Sequence, residues 1–265
     1  MRWRSGWEYG KKISRGTFNM KMNTLEGKVV AIIGATGGIG DPLAEKSVKA
    51  GAKVLLGARR FPELQALRER IDPTGKNSIA LATDASITGQ VINLLNAGFN
   101  RFKRVDIVIV TVGTWRQTYY NTDLEEVAST GRILTDSIII PSWNAIFEAH
   151  RFFSNTYQVG IIFNMSSWVV TKKEGVLSGN ILYRAAKRAV ESVVESLQEV
   201  GDMVKIVNLR PATVDTPINR KTHPGVPTDK WGLAVQPKTI FDWINEHSND
   251  PNIPEDVYFP SDLKL

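Results

Sequence analysis

Apolar positions along this chain follow two rhythms. From Lys28 onward, short runs of consecutive aliphatic residues alternate with longer stretches in which apolar residues recur every three or four positions. The short runs predict strands at 28–33, 53–56, 78–82, 106–112, 159–165, 204–209 and 257–259. The longer stretches predict helices at 42–50, 62–71, 90–102, 123–131, 138–153, 181–200 and 239–246, as in Leu64, Leu67 and Ile71 of the second. Strands that are apolar throughout need cover on both faces, and strand–helix alternation supplies it. The pattern therefore predicts an α/β fold: a doubly wound parallel sheet of seven strands in a single domain, residues 22–265. One stretch has neither rhythm. Residues 219–237, with Pro224, Pro227 and Pro237 among Gly225 and Gly232, read as a long loop of the kind that serves as a substrate lid.

Charge separates the first residues from this body. Of the +6 net charge, +5 lies in residues 1–22, where Arg2, Arg4, Lys11, Lys12, Arg15 and Lys21 face Glu8 alone. The body is nearly neutral, which argues against nucleic acid as a partner. Residues 1–21 read as a basic, poorly ordered extension ahead of Met22. It contains no apolar segment of the secretory type, and its Arg and Ser resemble a transit peptide. Cytoplasmic placement is the expectation, with mitochondrial placement as the alternative if the extension is such a peptide. No apolar run approaches the roughly 20 residues needed to span a bilayer, so no membrane partner is expected. The chain has no Cys, which excludes disulfides, thiolate metal sites and a Cys nucleophile. His150, His223 and His247 stand far apart and read as surface or loop residues, so no metal site is expected.

The first strand runs into Gly34-Ala35-Thr36-Gly37-Gly38-Ile39-Gly40, and a helix follows. Gly34, Gly38 and Gly40 permit a tight turn and let a diphosphate approach the backbone, with Thr36 and Ile39 in the same turn. The helix start adds amide donors and the positive end of a dipole. This is the context of a Rossmann-like dinucleotide site. No GxxxxGK[ST] motif is present, which disfavours a P-loop nucleotidase. A carboxylate at the end of the second strand would bind a free ribose 2′-hydroxyl. That strand ends instead in Ala58-Arg59-Arg60. A guanidinium suits a 2′-phosphate, so the expected cofactor is NADP(H) over NAD(H), with Arg59 as its contact.

Ser166 and Ser167 follow the fifth strand, and Tyr183 and Lys187 stand at i, i+4 on one helix face. An ammonium beside a phenol favours phenolate and lowers the Tyr pKa. Such a Tyr can pass a proton to or from a carbonyl or alcohol oxygen, and a Ser hydroxyl can orient that oxygen.

In this order of glycine turn, apolar strand, serine pair and Tyr-x-x-x-Lys, the chain resembles the short-chain dehydrogenase/reductase family, classical type, as a divergent member. The resemblance runs from about Met22 to the end. It implies Tyr183 as the acid/base and Ser167 as the group that polarises the substrate. It implies that Lys187 binds the nicotinamide ribose and lowers the tyrosine pKa. It also places Asp84 near the adenine, and Gly113, Pro211 and Thr216 toward the nicotinamide end. The implied activity is NADP(H)-dependent hydride transfer on a small-molecule carbonyl or secondary alcohol. The implied assembly is a homodimer or homotetramer through the helix carrying Ala185, Ala186, Ala189 and Val193. Several positions depart from the family pattern. Ile33-Gly34 opens the turn, Thr111-Val112-Gly113 follows the fourth strand, and Pro211-Ala212 follows the sixth. The gap between Ser167 and Tyr183 is lengthened through 172–175, and Asp136 or Ser137 stands in the region of the family's relay asparagine. That last departure supports a rival reading, a catalytically weak NADP-binding regulatory protein on the same fold. Trp115 and Trp168, after strand ends, are expected to line the substrate cleft.

Overall fold

The computed structural model describes residues 25–171, 179–201 and 203–262. The extension 1–21 and the lengthened segment 172–175 lie outside the described residues. Seven strands, β1 (Val29–Ile33), β2 (Lys53–Ala58), β3 (Ser78–Ala82), β4 (Ile107–Val110), β5 (Gly160–Met165), β6 (Val204–Pro211) and β7 (Asp256–Phe259), form one sheet in the order β3-β2-β1-β4-β5-β6-β7. Every neighbouring pair is parallel. The helices are α1 (Gly40–Lys49), α2 (Phe61–Ile71), α3 (Gln90–Phe102), α4 (Leu124–Leu134), α5 (Ile140–Thr156), α6 (Ile181–Gln198), α7 (Pro217–Thr222) and α8 (Pro237–His247).

Why the strands are apolar throughout is visible in β1. Its alternation sends Val30 and Ile32 into one layer with Leu43, Leu64 and Ile240 of α1, α2 and α8. Val29, Ala31 and Ile33 enter the other with Leu94, Ile146 and Val190 of α3, α5 and α6. Both faces of the strand are buried, so neither register position tolerates a polar side chain.

The chain leaves β1 toward β2 and β3, then returns to β4 on the other side. This reversal opens a crevice beyond the C-terminal ends of β1 and β4, the switch point of a doubly wound sheet. Because all strands are parallel, the segments after β1, β4, β5 and β6 emerge on that same edge.

Two elements differ from the sequence expectation. The predicted helices 123–131 and 138–153 are not separated by a loop. A π turn, Thr135–Ile139, joins α4 to α5, and the Ile140 amide donates to the carbonyl of Thr135, five residues back. Pro141 supplies the reason. It has no amide and its ring crowds the carbonyl one turn earlier, and a widened turn relieves both conflicts without ending the helix. The stretch 219–237 is also not a bare loop. Thr216 caps α7 by accepting the Asn219 amide (3.3 Å), with Pro217 in the first turn. A 3₁₀ turn, Thr228–Leu233, buries Trp231, and Val214 bridges Val235.

Candidate active site

The turn after β1 has the tightness its glycines require. Gly34 adopts φ +94°, and a Cβ there would lie 2.8 Å from Thr111 Oγ1. A Cβ on Gly40 would lie 2.3 Å from the Gly34 carbonyl oxygen, and one on Gly38 would lie 2.8 Å from Thr216 Cβ. These contacts fold the turn onto itself, onto the segment after β4, and onto Thr216 beyond β6. Thr36 and Ile39, between the glycines, are partly exposed. The ten-residue α1 begins at Gly40; the Asp41 amide already donates to the Gly37 carbonyl (2.9 Å), and Pro42 has no amide. The approach for an anion is therefore the glycine backbone of the turn just ahead of the helix.

At the end of β2, Arg60 is ion-paired to Glu63 (2.8 Å). Exposed Arg59 acts instead on Asp84, which follows β3. Burial works against the Asp84 charge, but hydrogen bonds from the Ser86 hydroxyl (2.7 Å) and amide (2.9 Å), with Arg59 nearby, hold its carboxyl below the usual range.

Tyr183 and Lys187 lie one turn apart on α6. The Tyr183 hydroxyl shares a hydrogen bond with Ser167, which follows β5 and is partly buried. Lys187 is buried, and its Nζ donates to the Met165 carbonyl (2.7 Å) at the end of β5. Gly113, at φ +138°, completes the group after β4: a Cβ there would lie 3.8 Å from Lys187 Nζ and 3.2 Å from Ile138. The structure thus brings Ser167, Tyr183, Lys187 and Gly113 together, and places Gly34, Gly38, Gly40 and Thr216 in a second group at the same sheet edge. Pro211 ends β6 beside Phe259.

The electrostatics differ from the expectation that Lys187 lowers the tyrosine pKa. Burial pushes the Tyr183 phenol up to about 12, and only the Ser167 hydrogen bond opposes it. The ammonium is 6.0 Å from the ring centroid and committed to Met165. It is itself pushed down to about 8 by burial, against the pull of Glu191. For the phenol, burial therefore outweighs the opposing influences and sets the direction.

Other expectations change as well. Asp136 is exposed, and Ser137 donates to the Ile133 carbonyl (2.6 Å), so the π turn presents buried Ile138 toward Gly113 instead. His150 is buried in α5, and burial lowers its pKa. His223 sits between Trp115 (5.5 Å) and Trp231 (6.5 Å), and His247 stacks on Trp243 at 4.4 Å. Trp115 Nε1 donates to Asn180 Oδ1 (2.7 Å), which ties the segment after β4 to the start of α6. Of the small residues read as an assembly face, Ala186 is core and Val193 packs against it, while Ala185 is exposed. Among the described residues, no helix is long and apolar enough to cross a membrane.

Comparison with known proteins agrees with this architecture. The short chain dehydrogenase family model matches residues 28–226, about three quarters of the chain. An uncharacterized oxidoreductase of Staphylococcus saprophyticus is 26% identical over 256 residues, covering 92% of this chain and all of that one. The 11-beta-hydroxysteroid dehydrogenase A of Sesamum indicum is 28% identical over 203 residues, 74% of this chain but 55% of that protein. Among solved structures, a 7 alpha-hydroxysteroid dehydrogenase complexed with NADH and 7-oxo glycochenodeoxycholic acid superposes with a TM-score of 0.76 at 16% identity, covering 92% of this chain and 97% of that one. An alcohol dehydrogenase from the archaeon Thermococcus sibiricus, complexed with 5-hydroxy-NADP, gives 0.71 at 21% identity, covering 90% and 98%. A family match over most of the chain, on a seven-stranded sheet with this crevice, settles the class. The chain belongs to the short-chain dehydrogenase family as a divergent member, and is an NAD(P)-dependent oxidoreductase acting on carbonyl or alcohol groups.

Proposed function

We propose that this chain is an NADP(H)-dependent reductase of small carbonyl compounds, with Tyr183 as the general acid. The observation that carries the reading is the meeting of Ser167, Tyr183 and Lys187 beside Gly113, at the sheet edge where the glycine turn opens. The donor set fits a dinucleotide: bare backbone at a helix start, a guanidinium at the end of β2, and a buried ammonium by the reacting group. In this reading Gly34, Thr36, Gly38, Ile39 and Gly40 hold the diphosphate. Arg59 takes the 2′-phosphate and Asp84 the adenine side. Gly113, Pro211 and Thr216 line the nicotinamide end, and Lys187 holds the ribose. The bound nicotinamide supplies the hydride.

The protein supplies the proton. A phenol held near 12 keeps its proton throughout the neutral range, the state required to protonate a carbonyl oxygen as it gains charge. Ser167 orients that oxygen by the same hydroxyl that bonds Tyr183. Trp115 and Trp168 flank the substrate, and residues 219–237 cover it. The working assembly is a homodimer or homotetramer, and the extension 1–21 takes no part in the chemistry.

A second reading, an NADP-binding regulatory protein of low turnover, is favoured by one observation: the π turn offers apolar Ile138 where a relay needs a polar group. Melting temperature with saturating NADPH or NADH, followed by NADPH oxidation over a panel of ketones and aldehydes, separates the readings. The reductase reading expects an NADPH shift exceeding the NADH shift, and turnover on part of the panel. A shift without turnover favours the regulator, and no shift with either dinucleotide refutes both.

A further inference from the structure

We infer that Glu191 is a positioning residue for this site: from one turn beyond Lys187 on α6 it holds, through Ser166, the backbone corner whose Met165 carbonyl receives Lys187 and whose Ser167 bonds Tyr183. The inference rests on the roles proposed above for Tyr183 and Lys187.

Tyr183, Lys187 and Glu191 follow one another at four-residue steps, so they share a face of α6. Glu191 is fully buried at 0% exposure. A carboxylate there is tolerable only with both oxygens engaged, and both are. Oε1 accepts from Ser166 Oγ (2.6 Å) and from Arg210 Nε (2.7 Å). Oε2 accepts from Arg210 Nη2 (3.1 Å) and Arg188 Nη1 (3.1 Å). Arg210, buried on β6, is in turn ion-paired with Asp256 (2.6 Å) and donates to the Tyr258 hydroxyl on β7. The carboxylate is thereby pinned to the sheet through Ser166 and Arg210, with Arg188 of its own helix as the third donor.

Two consequences reach the site. Ser166 lies between Met165, whose carbonyl receives Lys187, and Ser167, which bonds Tyr183. Holding the Ser166 side chain therefore fixes the backbone that presents both. The second consequence is electrostatic. Around Lys187 stand Tyr183 and Glu191 from α6, the Met165 carbonyl from β5, Gly113 beyond β4, and apolar Ile138 from the π turn, with Arg210 of β6 and exposed Arg188 beyond Glu191. Among these described groups Glu191 is the anion acting on Lys187. It offsets the burial that drives the ammonium toward its neutral form.

The test is the titration of Lys187, followed by the ¹³Cε resonance in lysine-labelled protein and assigned with Lys187→Arg. It needs neither substrate nor cofactor. Glu191→Gln keeps the shape and removes the charge. The Lys187 midpoint should fall, by up to about one pH unit, because Glu191 stands one turn away and also serves two guanidiniums. Glu191→Asp should fall between parent and Glu191→Gln. Glu191→Gln/Arg210→Gln removes both buried charges and serves if the single variant does not fold, read against Arg210→Gln alone so that the loss of the cation is subtracted. Ser166→Ala should leave the midpoint in place while lowering turnover, since it loosens the corner without touching the charge. An unchanged Lys187 midpoint in a folded Glu191 variant overturns the inference, as does a Ser166→Ala protein with parental turnover. Tyr183→Phe in the same series keeps the two claims apart. If it retains turnover, the reading of the site fails, whatever Lys187 does. If it is inactive and the midpoint is unmoved, only the role of Glu191 fails.

Discussion

Gly40→Ala is the substitution whose cost follows most directly from the geometry. The added Cβ would meet the Gly34 carbonyl oxygen at 2.3 Å and the Ala35 Cα at 3.0 Å. Both neighbours are backbone of the same turn, so no side chain can swing away. Relief requires the turn to open by about 1 Å, and overpacking of that kind costs about 1–3 kcal/mol. Alanine's helix preference returns up to about 1 kcal/mol in a helix interior, and less at a first residue. A net loss of about 2 kcal/mol corresponds to a melting temperature lower by roughly 4–8 °C for a domain of this size. Gly131→Ala is the control. It lies inside α4 with nothing within 4 Å of its Cβ position, so the same substitution should stabilise by about 0.5–1 kcal/mol. Thermal unfolding by far-ultraviolet circular dichroism reads both. Repeating it with NADPH tests the turn as a cradle: at about a hundredfold excess over Kd the parent should gain about 2.7 kcal/mol, and Gly40→Ala should lose most of that gain. A Gly40→Ala protein that melts with the parent and keeps the full NADPH shift would refute the close-packed turn and its role together.

Arg59→Ala should weaken NADPH by roughly 1.5–3 kcal/mol, the scale of a charged hydrogen bond, and leave NADH nearly unchanged by isothermal titration calorimetry. Lys187 carries its charge below about pH 8 and loses it above, so turnover should fall on the alkaline side with a midpoint near that value in a pH–rate profile. Because its folded pKa lies below the ordinary lysine value, the unfolded chain binds the extra proton between about pH 8 and 10.5. Its contribution to stability should therefore rise with pH across that window in denaturant titrations. A chain beginning at Met22 should melt and bind NADPH as the full chain does, and a substantially lower melting temperature would show that Trp3 or Trp7 packs on the body. Light scattering at micromolar concentration should give the mass of a dimer or tetramer, and a monomer mass would contradict the assembly proposed.

The sequence made the sheet legible because burial on both faces leaves strands such as Val29–Ile33 apolar at every position, in runs too short for helices and alternating with helical stretches. The glycine turn was legible for a related reason, since Gly34, Gly38 and Gly40 each stand where a Cβ meets a neighbour within 3 Å. The π turn was not legible. Pro141 signals a break, and nothing local says that a widened turn will carry the helix through it. Glu191 was missed because a charged residue on an amphipathic helix ordinarily faces water, and its burial depends on Arg210, nineteen residues further along the chain. His150 was misread in the same way, its burial being set by α5 packing on the sheet. The direction of the Tyr183 pKa was not legible because spacing on a helix shows that Lys187 is near, but not how deeply the phenol is buried.

The central claim is that one hydroxyl, on Tyr183, carries the proton. The measurement is single-turnover reduction with saturating NADPH, comparing the parent with Tyr183→Phe on a carbonyl found in the panel, with NADPH affinity measured in parallel. The substitution removes a hydroxyl from a ring that otherwise stays packed, so folding and NADPH affinity should be retained. The rate should fall by about 10²–10⁴-fold, the usual contribution of a positioned general acid. A Tyr183→Phe protein that binds NADPH normally and reduces the substrate at near the parent rate would contradict the account.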